Sequence, residues 1–272
     1  MAGTEADVQT RDGVKIHYWV RGGGEPLALI MGFSGSGRAW GEPFLERLER
    51  RFKLIVIDNR GTGLSDKPDR DWTLVDMAAD AVSVLDDLKI AKAHVMGVSM
   101  GGMIAQEFAS HFADRLDRLI LGCTNCGASH SIQVAPEIMQ KLLPNPDLSP
   151  REQSLAAMSL ACAPAFFNSD RGRAFVEFMI DEQAKYAITP MTTFQHQMGA
   201  IMQFDSFERL PQIKNPTLVL TGDTDALTPC ENSAVIQKQI PGAKLAVLKG
   251  LGHMFLWEDP AASANAVINF LN

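Results

Sequence analysis

The sequence predicts an α/β fold: a mostly parallel sheet with helices on both faces and a mostly helical insertion. Three observations carry this expectation. Short, nearly continuous apolar runs recur at residues 27–31, 54–58, 95–98, 119–122 and 218–221, as in strands covered on both faces of a parallel sheet. Helical patterns lie between them, and such alternation calls for crossover helices on both sides of the sheet. The alternation then lapses between about Cys126 and Leu210.

Taken in order, residues 14–20 (Val-Lys-Ile-His-Tyr-Trp-Val) alternate and are rich in β-formers, which predicts an early antiparallel strand. Residues 73–88 read as a helix. Thr73 and Asp76 stand in capping-box spacing, with Asp where Glu is preferred, and Leu74, Met77, Ala78, Ala81, Leu85 and Leu88 recur at helical intervals. Residues 99–112 and 260–271 are also helical, the second with Asp259 as cap and Pro260 at its first position. Residues 245–248 add a last strand. The lapse holds Pro136, Pro144, Pro146, Pro150, Pro164 and Pro190 between amphipathic stretches rich in Met, Phe and Ala, and no strand pattern. The expected organisation is a core formed by 1–125 and 210–272, with a helical cap at 126–209.

Bulk properties narrow the function. The chain has 272 residues, 46% hydrophobic and 21% charged, ordinary for a globular protein. No apolar run approaches the ~20 residues that span a bilayer, so no membrane association is expected. The opening Met-Ala-Gly-Thr-Glu-Ala-Asp has neither the basic region nor the apolar stretch of a secretory signal, so the expected location is cytoplasmic. A net charge of −7, spread along the chain, disfavours nucleic acid as a partner. Cys123 and Cys126 form a C-x-x-C, but Cys162 and Cys230 stand alone. Without a second close pair there is no zinc pattern, and Gly127 and Ser129 suggest a loop rather than the helix of a redox motif. These thiols read as structural, and no metal is expected.

The chemistry-bearing motif is Gly97-Val98-Ser99-Met100-Gly101, a G-x-S-x-G. A short apolar strand runs into it and a helix leaves it. Such a sharp strand-to-helix turn strains the serine backbone and lifts its Oγ above the sheet. Side chains at Gly97 and Gly101 would crowd the turn, and the helix N-terminus favours negative charge developing beside Ser99.

On these residues the chain resembles the α/β-hydrolase family, whose order is nucleophile, acid, histidine. The resemblance implies Ser99 as nucleophile. It places the acid at Asp225, through the G-x-x-D-x-x-x-P pattern of residues 222–229, with Asp223 as the rival. The implied base is His253, in Lys249-Gly250-Leu251-Gly252-His253, the one histidine that follows the acid. His17, His94, His111, His130 and His196 have ordinary structural readings. A serine hydroxyl needs a base to take its proton during attack; the acid fixes the tautomer and stabilises the imidazolium. The family's oxyanion hole maps to the backbone N–H groups of Met100 and of Phe33, in Met31-Gly32-Phe33-Ser34-Gly35. Met31 stands where the family usually has a loop-bracing histidine. Residues 58–65, Asp-Asn-Arg-Gly-Thr-Gly-Leu-Ser, match the family's D-x-R-G-x-G-x-S segment and read as a structural loop.

Within the family, Ser99 argues against dehalogenases and epoxide hydrolases, which use Asp. Met100 and Met254 stand where the prolyl aminopeptidase type and carbon–carbon hydrolases, respectively, carry tryptophan. The Gly-x-Ser-Met-Gly-Gly form is most similar to carboxylesterases, enol-lactonases and cofactor-free haloperoxidases or perhydrolases. Gly32, Leu227 and Met254 are candidate pocket residues. The expected reaction is hydrolysis of a small to medium apolar ester or lactone, a small-molecule substrate, with no cofactor. The alternatives are a carbon–carbon hydrolase or perhydrolase with the same triad, and a ligand-binding protein on the same scaffold. Oligomeric state is not legible.

Overall fold

Strands β1 (Thr4–Gln9), β2 (Lys15–Gly22), β3 (Glu25–Ile30), β4 (Phe52–Ile57), β5 (Ala93–Val98), β6 (Leu116–Gly122), β7 (Thr217–Gly222) and β8 (Lys244–Leu248) form one sheet, in the order β1-β2-β4-β3-β5-β6-β7-β8. The computed structural model describes residues 3–142, 145, 147–185 and 190–272. The antiparallel pairs are β1–β2 and β2–β4; every other pair is parallel. The strand expected at 14–20 is β2. Strand β1 has no counterpart in the sequence reading, because Thr-Glu-Ala-Asp-Val-Gln is polar and alternates only between exposed and half-buried, as an edge strand can.

Alternate residues of each central strand feed opposite faces, which is why the runs are continuously apolar. Ala28, Ile30, Ile55, Ile57, Val95, Leu119 and Val219 pack on one side with helices α2 (Leu74–Asp87) and α3 (Met100–His111). On the other, Leu27, Leu29, Leu54, Val56, Met96, Ile120 and Leu220 meet Phe44, Leu45 and Leu48 of helix α1 (Glu42–Leu48) and the chain's last helix. The Thr73 capping box on α2 forms in both directions.

Between β6 and β7 lie α4 (Pro136–Leu142), α5 (Pro150–Ala161), α6 (Pro164–Phe167), α7 (Asp170–Lys185) and α8 (Met191–Met202). Among the described residues this stretch holds no strand, only an isolated bridge between Gly127 and Asp205. The prolines punctuate rather than interrupt: Pro136, Pro150 and Pro164 each open a helix and Pro190 caps α8, positions that need no N–H from the ring. Pro144 and Pro146 lie outside the described residues. After β7 come α9 (Glu231–Gln239), α10 (Phe255–Glu258) and α11 (Pro260–Leu271). Asp259 caps α11 through the N–H groups of Ala261 and Ala262. Among the described residues no helix is long and apolar enough to cross a membrane.

Candidate active site

Strand β5 ends at Val98 and α3 begins at Met100, so Ser99 alone makes the turn, at φ 56° and ψ −124°. A left-handed serine costs about 1–3 kcal/mol and persists only where its surroundings over-determine it. They do here. A Cβ at Gly97 would lie 1.9 Å from the Gly101 carbonyl oxygen, and one at Gly101 would lie 2.1 Å from that of Ile30. The Ser99 N–H donates to the Gly122 carbonyl at 2.9 Å, and Thr124 Oγ1 donates to the Ser99 carbonyl at 2.8 Å.

Asp225 follows β7, with no exposed side-chain surface. Its Oδ1 accepts from the N–H groups of Leu227 (2.9 Å) and Thr228 (2.8 Å), and its Oδ2 lies 2.8 Å from His253 Nδ1. Asp223, the rival, turns away: it accepts from the Gly250 N–H at 2.6 Å and pairs with Lys249 at 3.4 Å. The loop carrying His253 is tied down by Glu258, whose buried carboxylate accepts from the N–H groups of Gly252 and Ala163. Burial raises the Glu258 pKa despite those donors. Glu258 escapes a sequence reading because nothing but its position in space marks it.

With Nδ1 engaged by Asp225, His253 keeps Nε2 for chemistry. Burial opposes the imidazolium, but Asp225 and the adjacent Cys123 sulfur more than compensate, so the pKa stands well above 6.5. Ligand atoms of Cys123, Asp225 and His253 all lie within 4.8 Å of one another. Cys123, which reads in the sequence as a structural thiol, also lies against His253. Cys123 and Cys126 are both buried and unbridged. Among the described residues no hydrogen bond joins Ser99 Oγ to His253. The end of β6 nevertheless links them, since Gly122 bonds Ser99 and the next residue touches His253. Such contacts commonly tighten only once substrate is bound.

Gly32 sits against Ser99: a Cβ there would lie 3.0 Å from Ser99 Cβ and 3.5 Å from its Oγ. Residues 32–35 form a turn closed by the Gly35 N–H to the Gly32 carbonyl at 3.2 Å, with Ser34 at φ 56°. Neither the Phe33 nor the Met100 N–H has a protein acceptor among the described residues. Met31 is buried, and its carbonyl accepts from Asn59 Nδ2 at 2.8 Å. The 58–65 loop is thus structural, as its pattern suggests: Asp58 accepts from the N–H groups of Gly37 and Leu64, and Ser65 Oγ donates to the Asp58 carbonyl. Of the pocket candidates, Met254 packs with Cys162, Phe175, Val176, Met158 and Trp257 between α10 and the insertion. Leu227 contributes its backbone N–H to Asp225.

Comparison with known proteins identifies the fold family. A family model described as alpha/beta hydrolase fold matches residues 25–260. A poly(3-hydroxyalkanoate) depolymerase from Ectopseudomonas oleovorans is 29% identical over 96% of this chain and 90% of its own. RutD of Caulobacter vibrioides, a provisionally named carbamate hydrolase, is 31% identical over 97% of both chains. Among solved structures, Est816, described as an N-acyl homoserine lactone degrading enzyme, superposes with a TM-score of 0.83 at 27% identity, covering 97% of this chain and 100% of its own.

Proposed function

The chain belongs to the α/β-hydrolase family, and from that premise we propose that it is a serine hydrolase cleaving a small to medium apolar carboxylic ester or lactone through an acyl-enzyme on Ser99. The observation that carries the reading is the setting of Ser99. A strained serine stands beside two backbone N–H groups, of Phe33 and Met100, that have no protein acceptor among the described residues.

In this reading His253 Nε2 takes the Ser99 proton as Oγ attacks the acyl carbon. Charge builds on the carbonyl oxygen, which the two N–H groups would receive, each worth roughly 3–4 kcal/mol in the transition state. The leaving oxygen then collects the proton from His253. A water molecule, deprotonated by the same imidazole, then attacks the acyl carbon; the bond to Ser99 Oγ breaks, Oγ takes the proton back from His253 and the acid leaves. Asp225 holds the ring throughout. The substrates named for the relatives, a poly(hydroxyalkanoate), an acyl homoserine lactone and a carbamate, share an acyl carbon bearing an oxygen or nitrogen leaving group. Met254, packed against the apolar cluster of Cys162, Phe175 and Val176, is the kind of neighbour that favours an uncharged substrate. We divide the chain functionally as 1–125 and 210–272 for the chemistry and 126–209 as the cap that shapes the pocket.

Turnover of p-nitrophenyl esters, a lactone panel and peroxide-dependent halogenation, measured side by side, tests this. Ester or lactone hydrolysis should dominate. Ser99→Ala should lower it by roughly 10⁴-fold or more and abolish labelling by a fluorophosphonate, with the fold intact. Residual labelling would remove Ser99 as nucleophile, and halogenation as the main activity would replace the hydrolase reading.

A further inference from the structure

We propose that Gln197, on the insertion, is a positioning residue for the oxyanion hole and takes over the bracing for which Met31 has no polar group. The inference rests on Ser99 being the nucleophile and Phe33 N–H an oxyanion donor.

Four observations converge on it. The turn at residues 32–35 carries Ser34 at φ 56°, a conformation that serine leaves readily unless something holds it. Gln197 Oε1 accepts the Ser34 N–H at 2.9 Å, across 163 residues of sequence. That bond fixes the peptide between Phe33 and Ser34, the one directly after the Gly32–Phe33 amide that presents the donor, and so restrains how that amide can turn. Second, Gln197 has no exposed surface, yet its Nε2 has no acceptor among the described residues. A fully buried amide that leaves a donor unpaired is unfavourable for packing alone, and leucine would fill the space without that penalty. Third, the same face of α8 grips the loop elsewhere: Phe194 packs edge-to-face on Phe33 with ring centroids 4.7 Å apart. Thr193, one residue before it, is buried with its methyl pressed on Gly61. Fourth, Met31 is buried and supplies only its carbonyl, to Asn59, so within residues 31–35 the left-handed residue is held from the insertion and not from the core. Helix α8 therefore sets the oxyanion donor, and the cap shapes the rate of the chemistry as well as the pocket.

The test is steady-state hydrolysis of a small p-nitrophenyl ester, too short to depend on the pocket for affinity. Gln197→Leu removes the acceptor and keeps the volume; Gln197→Met does the same with a more adaptable side chain and covers the case in which the first variant folds poorly. Both should lower kcat by about 10- to 100-fold, the scale of a misplaced rather than deleted donor, with KM changed less than threefold. Gln197→Glu keeps an oxygen at the accepting position and should retain kcat within a few-fold of the parent. A trifluoromethyl ketone, which forms a tetrahedral oxyanion on the nucleophile, should lose affinity in parallel with kcat/KM, a response that packing alone would not produce. Unchanged kcat in a folded Gln197→Leu or Gln197→Met, or a rise confined to KM, would overturn the proposal. Ser99→Ala run in parallel separates the two readings: full activity there removes the nucleophile assignment and this proposal with it, whereas Ser99-dependent activity indifferent to Gln197 removes this proposal alone.

Discussion

As the proposed general base, His253 would have to be neutral to accept a proton, and its surroundings favour the charged ring. Burial opposes the charge, but Asp225 and Cys123 outweigh it and hold the pKa well above 6.5. A general base with a raised pKa is inactive below that value and gains activity as pH rises through it. The ascending limb of kcat/KM should therefore lie above pH 6.5, and Cys123→Ala, which removes one of the two contributions, should move it to lower pH. A pH–rate profile of both proteins measures the shift; a limb that stays in place would mean that Cys123 does not sense the imidazolium. At this scale the sequence was partly legible. Ser99 and His253 stand in motifs with local signatures. Asp225 and Asp223 share one loop; the G-x-x-D-x-x-x-P pattern favours Asp225, and the side chains turn apart accordingly, toward His253 and toward Gly250. Cys123 and Glu258 carry no local signature at all, because each matters only through the neighbour that folding supplies.

Elements were legible where their signals are local. The Thr73 box, the Asp259 cap and the Gly97–Gly101 turn depend on residues within a few positions, and all three form as their spacing suggests. Strand β1 is hard to see because its inward face offers only Ala6 and Val8, both half-buried among polar residues. The role of α8 is invisible for another reason: its partners lie on loops far away in the chain. Gln197 is one example and His196 another. His196 Nδ1 lies 2.8 Å from Asp71 and its Nε2 3.3 Å from Asp69, while Trp72 packs on the ring at 4.9 Å. Loss of hydration disfavours the charged ring, but Asp71 and Asp69 prevail and raise its pKa above 6.5. A folded-state pKa above the unfolded value contributes stability that is complete below 6.5 and is lost as pH rises through the folded value. The melting temperature of the parent should thus exceed that of His196→Gln at acidic pH, and the gap should close on the alkaline side. A gap that widened with pH would rule out the ionic clasp.

For the whole molecule, the two core layers follow from one property of the sequence, the continuously apolar runs of the central strands, whereas the strand order does not. What that pattern cannot show is how the two ends of the sheet's first half are tied together. Arg60, from the loop after β4, reaches Asp80 on α2 through two bonds of 2.7 Å and Asp12 in the β1–β2 turn at 3.1 Å. The Arg60 and Asp80 side chains are each only 3% exposed, so solvent screens their interaction little. Burial by itself would disfavour the guanidinium charge, yet Asp80 and Asp12 hold the Arg60 pKa above its usual value. The same loop supplies Asp58 to the Gly37 N–H and Asn59 to the Met31 carbonyl, so the network underlies the turn at residues 32–35 as well as the fold. Breaking one side of a buried pair strands the other charge, which costs about 3–5 kcal/mol. Asp80→Ala should lower the denaturant midpoint accordingly, while replacing both partners, Arg60→Leu with Asp80→Leu, should recover much of the loss because neither charge is then left alone. Asp12 would still face the vacated position, but it is 40% exposed and can turn to water. Equilibrium denaturation of the three proteins decides it: a single variant within 1 kcal/mol of the parent, on the scale of an exposed pair, would mean that the network contributes little beyond what a surface ion pair does.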